Sequence, residues 1–211
     1  MDYKIKSTAQ KAYADAITMM EDLLTNVAYP VFKQQKIDFD VDSTLSGFDA
    51  LLQYSMMQIA LNDDNLHIEE LKLISSLSKY CNFCDYLNQR GYKNITWQRL
   101  YNADEGELQS IILDLEYDMR VLNGDLITIF PLIDKAIPER DFISELKTVV
   151  AVMLITVAAA DNDYDENELG GTLIMETLNI MERKKESLPD TNIQSKQSQK
   201  HSLKDFYVKK N

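Results

Sequence analysis

Apolar side chains recur along this chain at steps of three and four residues, the period of a helix with one buried face. Ala9, Tyr13, Ile17, Met20, Leu24 and Val27 set an amphipathic helix over residues 8–28, with Ser7 or Thr8 to cap it and Pro30 to end it. Residues 34–43, QQKIDFDVDS, read as a connection. A second helix over 45–61 carries Leu45, Phe48, Leu52, Met56 and Ile59 on one face. Leu51, Met57 and Ala60 widen that face, which predicts neighbours on more than one side. A third helix holds Leu66, Leu71, Ile74, Leu77 and Tyr80, before an irregular stretch 85–96 broken at Gly91 and Asn94.

Asp104 precedes Glu107 by three, the spacing of a capping box, and starts a helix reaching about Leu122. A short helix over 125–136 ends before Pro138. Residues 139–160 form the most apolar helix, with Phe142, Leu146, Val149, Met153 and Val157 in register, and a last helix runs to about Lys185. No stretch alternates as a strand would. The pattern predicts an all-α fold, a compact bundle of about seven helices, with Trp97, Tyr101 and Met119 in its core.

Composition agrees with helices: six Gly and four Pro are few for 211 residues. The segments divide as 1–35, an N-terminal amphipathic helix; 43–186, the main helical domain; and 187–211, a polar, basic tail of linker-like composition. The net charge of −12 speaks against nucleic acid and suits cations or basic partner surfaces. The basic tail could meet the acidic body of its own chain, or make peripheral contact with an anionic membrane. The amino terminus lacks the apolar core of a signal peptide, and the apolar run 149–160 is too short for a membrane span. A cytoplasmic protein is expected. Cys81 and Cys84 form a single C-N-F-C without the second pair a four-cysteine zinc site needs, and read as reduced thiols.

The chain also repeats itself. Residues 60–71, ALNDDNLHIEEL, align without a gap on residues 158–169, AAADNDYDENEL, 98 positions later. Asp63 matches Asp161, Glu70 matches Glu168, and Leu71 matches Leu169; each copy joins an apolar helix to an amphipathic one. Two related helix–acidic loop–helix units follow. At these positions the sequence resembles the TerB-like (tellurite resistance) family, in which an apolar helix leads into Asp-Gly and then Glu seven positions after the Asp. The Gly is replaced here by Asp64 and Asn162, residue types that tolerate a left-handed turn. The resemblance spans residues 45–186. It implies an all-helical fold and a divalent-metal role for Asp63, Glu70, Asp161 and Glu168. It further implies a bacterial binding or scaffolding module in stress-response or defence systems.

Elementary electrostatics separates the acids into two groups. Asp165 and Glu168 are spaced as an N-cap and its partner, Glu166 suits a first helical turn, and Glu69 and Glu70 sit equally well beside a helix start. Asp161 and Asp163, like Asp63 and Asp64, instead follow a helix carboxyl end, where negative charge is unfavourable by about 0.3–1 kcal/mol each. A hard cation would reverse that sign, and an all-oxygen set favours Ca²⁺ or Mg²⁺ over Zn²⁺. Asp63, Glu70, Asp161 and Glu168 are thus the candidate metal ligands, with Asp64, Asp163 and Asp165 secondary. An EF-hand fits poorly, because Glu166 stands at its glycine position and Thr172 at its twelfth. With His67 and His201 as the only histidines, and no nucleophile constellation or phosphate loop, the chain reads as non-catalytic. The alternative to a cation site is a scaffold whose acidic face recruits a basic protein partner without metal. No feature specifies an oligomeric state.

Overall fold

In a computed structural model the backbone is described for residues 3–61, 67–136, 140–161 and 171–186, with side chains omitted at 132–136, 161 and 180–186. The described elements are all helical: α1 Tyr3–Leu23, α2 Tyr29–Gln34, α3 Val41–Ala60, α4 Ile68–Ser75, α5 Phe83–Gln89, α6 Trp97–Tyr101, α7 Glu105–Ala136, α8 Phe142–Ala158 and α9 Leu173–Glu186. The expected all-α bundle is what forms.

α8 packs its apolar face against several neighbours, with Glu145, Thr148 and Val152 left exposed. α1 lies along α8 more extensively than any other pair of elements pack, and α9 and α3 flank α8 as well. Leu146, Val150, Met153, Leu154 and Val157 of α8 are fully buried. So are Ala9, Ala16, Ile17 and Met20 of α1, whose small residues let the two helices approach closely. α3 is covered on most sides, as its wide apolar face predicts, and α7 closes the bundle over α3 and α9. Each large aliphatic side chain buried in this way contributes about 1.5–3 kcal/mol. Met119 is fully buried, while Trp97 and Tyr101 pack against the core with part of their rings exposed.

Several boundaries differ from the local pattern, each for a physical reason. The first helix starts at Tyr3, so Ser7 and Thr8 lie inside it, and the Ser7 hydroxyl donates to the Lys4 carbonyl at 3.1 Å. Pro30 does not end it either. A π-helical turn, Leu24–Ala28, joins α1 to α2, and the Tyr29 N–H reaches back five residues to the Leu24 carbonyl. Pro30 then stands at the start of α2, where its missing donor costs little. α3 begins four residues before Leu45, because the Asp40 carboxylate caps it by accepting the N–H groups of Asp42 and Ser43 at 3.0 and 3.2 Å.

Asp104 caps α7 as its spacing predicts, accepting the Glu107 N–H at 2.8 Å, but the Glu107 carboxylate turns to Arg99 at 3.0 Å. The two helices expected over 105–122 and 125–136 are one helix of 32 residues that runs through both Gly124 and Pro131. Burial of Asn123, Leu126, Ile129 and Phe130 holds the junction helical against the roughly 1 kcal/mol that a helical glycine costs. Between α5 and α6, Gly91 (φ 103°) and Asn94 (φ 59°) take the left-handed backbone expected of chain breakers. Residues 83–89 before them are helical rather than irregular, capped by the Asn82 side chain on the Cys84 N–H at 3.0 Å.

Candidate functional site

The first acidic turn meets α4 at Glu70. Its carboxylate is buried, 1 % exposed, and accepts the His67 backbone N–H at 3.2 Å across the first turn of the helix. This is the capping geometry its position predicts. His67 itself is exposed. In the second copy α8 tightens into a 3₁₀ turn, Ala159–Asp161, and that turn packs against α4. The turn that ends at Asp161 and the helix bearing Glu70 are therefore neighbours, although 91 positions separate those two residues in sequence. Asp63, Asp64, Asp163, Asp165 and Glu168 lie outside the described residues, as does the expected Asp165–Glu168 capping pair. Among the described residues no group of three or more His, Cys, Asp or Glu stands close enough to hold a metal ion. Thr172, at the last position of the rejected EF-hand register, is buried, and its carbonyl accepts the Glu176 N–H inside α9.

Among the described residues, the most heavily engaged carboxylate was not one of the sequence candidates. Asp49 is fully buried in α3, and its Oδ2 accepts three successive backbone N–H groups, from Lys79, Tyr80 and Cys81, at 3.0, 2.7 and 3.0 Å. Its Oδ1 accepts the Tyr13 hydroxyl at 2.8 Å and Gln53 Nε2 at 2.9 Å. One turn on, Gln53 donates also to the Cys81 carbonyl and accepts the Phe83 N–H at 3.0 Å. Two polar residues of one helix thus satisfy the loop between α4 and α5. α4 stops at Ser75, leaving Leu77 and Tyr80 outside any helix: the next two amides, of Ser76 and Leu77, turn to carbonyls three residues back, and Asp49 then takes those of Lys79, Tyr80 and Cys81. With five donors on two oxygens, the carboxylate has no lone pair left for a substrate, and its work is structural. Burial, and next the Asp49 charge, push the Tyr13 hydroxyl well above its ordinary pKa. In the sequence the signal is a pair of polar residues at i and i+4 inside an otherwise apolar helical stretch, FDALLQY.

Both cysteines are free thiols. Burial and then the Asp49 charge raise Cys81 to about 11, and burial followed by Asp85 raises Cys84 to about 12. Thiols so shifted stay protonated near neutral pH, unlike the thiolates that bind metals or attack disulfides. This accords with the reading of C-N-F-C as reduced side chains.

A second surface has Leu61 and Gly171 in its lining. Two adjoining hollows of about 320 and 210 Å³ share Gln58, Ile112, Leu113 and Gly171 as walls, between α3, α7 and the start of α9. Along the outer edge of this groove α7 presents Leu113, Tyr117 and Val121, spaced four apart and 67 %, 76 % and 43 % exposed. Carboxylates surround the stripe. Glu116 pairs with Arg120 at 2.6 Å, Asp118 with Arg90 at 2.9 Å, and Asp114 accepts the Tyr92 hydroxyl at 2.8 Å. From 105 to 125, α7 carries six acidic residues and one basic one.

Comparison with family models, curated proteins and solved structures finds no match. No described helix is long and apolar enough to cross a membrane.

Proposed function

We propose that this chain is a non-catalytic, TerB-like module of the bacterial cytoplasm, binding a divalent cation through its paired acidic turns and serving in a stress-response or defence complex. The observation that carries this reading is the packing of the 159–161 turn against α4. It brings the turn that closes α8 beside the helix that carries Glu70, which supports one ion drawing ligands from both copies. Asp63, Glu70, Asp161 and Glu168 are the proposed ligands, with Asp64, Asp163 and Asp165 in reserve. Glu70 already gives one oxygen to the His67 N–H, which would orient the carboxylate as outer contacts orient metal ligands.

Titration calorimetry and thermal unfolding with Ca²⁺, Mg²⁺, Mn²⁺ and Zn²⁺ test it. Ca²⁺ or Mg²⁺ should raise the unfolding temperature, by the equivalent of about 2.7 kcal/mol at a hundredfold excess over Kd. The increase should vanish in the Asp161→Asn, Glu168→Gln double variant. Equal unfolding temperatures with and without millimolar metal would end the cation reading.

A second reading, a metal-independent scaffold for a basic partner, is favoured by the exposed Leu113–Tyr117–Val121 stripe and its acidic margin. Under it, Leu113→Ser should weaken the partner complex and leave any metal response intact.

A further inference from the structure

We propose that the groove between α3, α7 and α9, with the stripe on its rim, is the docking site for the chain's own carboxyl-terminal segment, residues 203–208, LKDFYV. The inference rests on reading α7 as a docking face and is independent of the cation reading.

Three observations select this occupant. The first is charge. Residues 187–211 hold five Lys and two Asp, a net +3, while residues 1–186 carry −15. Lys200 on one side and Lys209 and Lys210 on the other bracket the apolar residues of the segment as carboxylates bracket the stripe, so both apolar and charged contacts can form in one register. A second copy of the chain would instead bring one acidic α7 face against another, which like charge opposes.

The second is shape. Leu203, Phe206 and Tyr207 stand at i, i+3 and i+4, the spacing of a helical recognition face. Leu113, Tyr117 and Val121 repeat at four-residue steps beside adjoining hollows of about 320 and 210 Å³.

The third is reach. Leu173 and Glu176 border the groove, and α9 ends at Glu186, ten residues or about 15 Å further along its axis. Sixteen residues, 187–202, separate that end from Leu203. A polar segment of that length has a typical end-to-end distance of about 20–24 Å. The linker length therefore suits the return, which is the condition for a high effective concentration. Docked in cis, the segment would cover the surface that a basic partner needs, and the partner would have to displace it.

The test places a photo-reactive benzoylphenylalanine at Tyr117 of the full chain. This site is largely exposed, so the core is undisturbed. The expected product is an intrachain cross-link to residues 200–211 in monomeric protein. Its yield should fall about tenfold or more in the Phe206→Ser, Tyr207→Ser chain, where two apolar anchors are lost. The yield should also decline as salt is raised. The same probe at Thr148, exposed on α8, is the control. Cross-links only to a second copy would overturn the cis occupant and keep α7 as a docking face. No cross-link at all would overturn both. Equal yield from the Thr148 probe would overturn the site.

Discussion

The Tyr13 hydroxyl donates to Asp49 Oδ1 at 2.8 Å, joining α1 to α3 through a charge that no solvent reaches. Because the same carboxylate holds three backbone amides of the 79–81 loop, its loss would strand several buried donors at once. Asp49→Ala should cost at least about 3 kcal/mol, since each unsatisfied buried group costs about 1–3 kcal/mol. Tyr13→Phe removes one donor and leaves four, and should cost about 1.5–3 kcal/mol. Urea unfolding of the two variants measures the difference. An Asp49→Ala chain as stable as the parent would refute the structural role assigned here.

Alkaline pH should unfold the protein more readily than its acidic composition suggests. In an unfolded chain the thiols ionise near 9.0, whereas in the fold Cys81 and Cys84 keep their protons to about 11 and 12. Above pH 9 the unfolded chain therefore binds fewer protons than the folded one, and stability falls as pH rises. Tyr13, raised from 10.0 by burial, adds to the fall in the same direction. The stabilisation is complete below pH 9 and is lost towards pH 11–12. Urea midpoints at about pH 8 and about pH 10.5 should show the decline, reduced in a Cys81→Ser, Cys84→Ser chain. A flat profile over that interval would contradict the burial of these groups.

Two helical glycines should respond differently to alanine. A Cβ at Gly124 meets nothing within 4 Å, so Gly124→Ala should stabilise α7 by about 0.5–1 kcal/mol through backbone entropy. At Gly47 the new carbon would stand 3.1 Å from Leu122 Cδ2, and the leucine must shift to admit it. Gly47→Ala should therefore gain less, or lose. Thermal unfolding of both variants decides, with about 2–4 °C per kcal/mol expected at this chain length.

Much of the bundle was legible from local pattern because the long helices bury the residues their periodicity selects. Ile17, Met20, Phe48, Met56, Leu146 and Met153 are all in the core, and Asp104 caps where its spacing says. Two of the misjudged stretches turn on distant partners. Beyond α4 the amides of residues 79–81 go to Asp49, some 30 residues away, and α7 passes Gly124 where Asn123 donates to Thr177 of α9. Partners so distant leave no trace in a window of neighbouring residues. Within the acidic turns, Glu70 was legible as a capping residue. The proximity of the two repeats was not, because the aligned sequences give their likeness and not their distance.

The π turn at Leu24–Ala28 amounts to one residue spliced into an otherwise continuous rod. Each residue of an α-helix rotates its successors by about 100°. The wider turn takes up the extra residue, so that Phe32, whose ring stacks on Phe39 with centroids 4.5 Å apart, keeps the phase that α1 sets. A residue added to plain α-helix at that point, with no such bulge to absorb it, would swing Phe32 a quarter-turn off its mate and unhook the corner that leads the chain into α3.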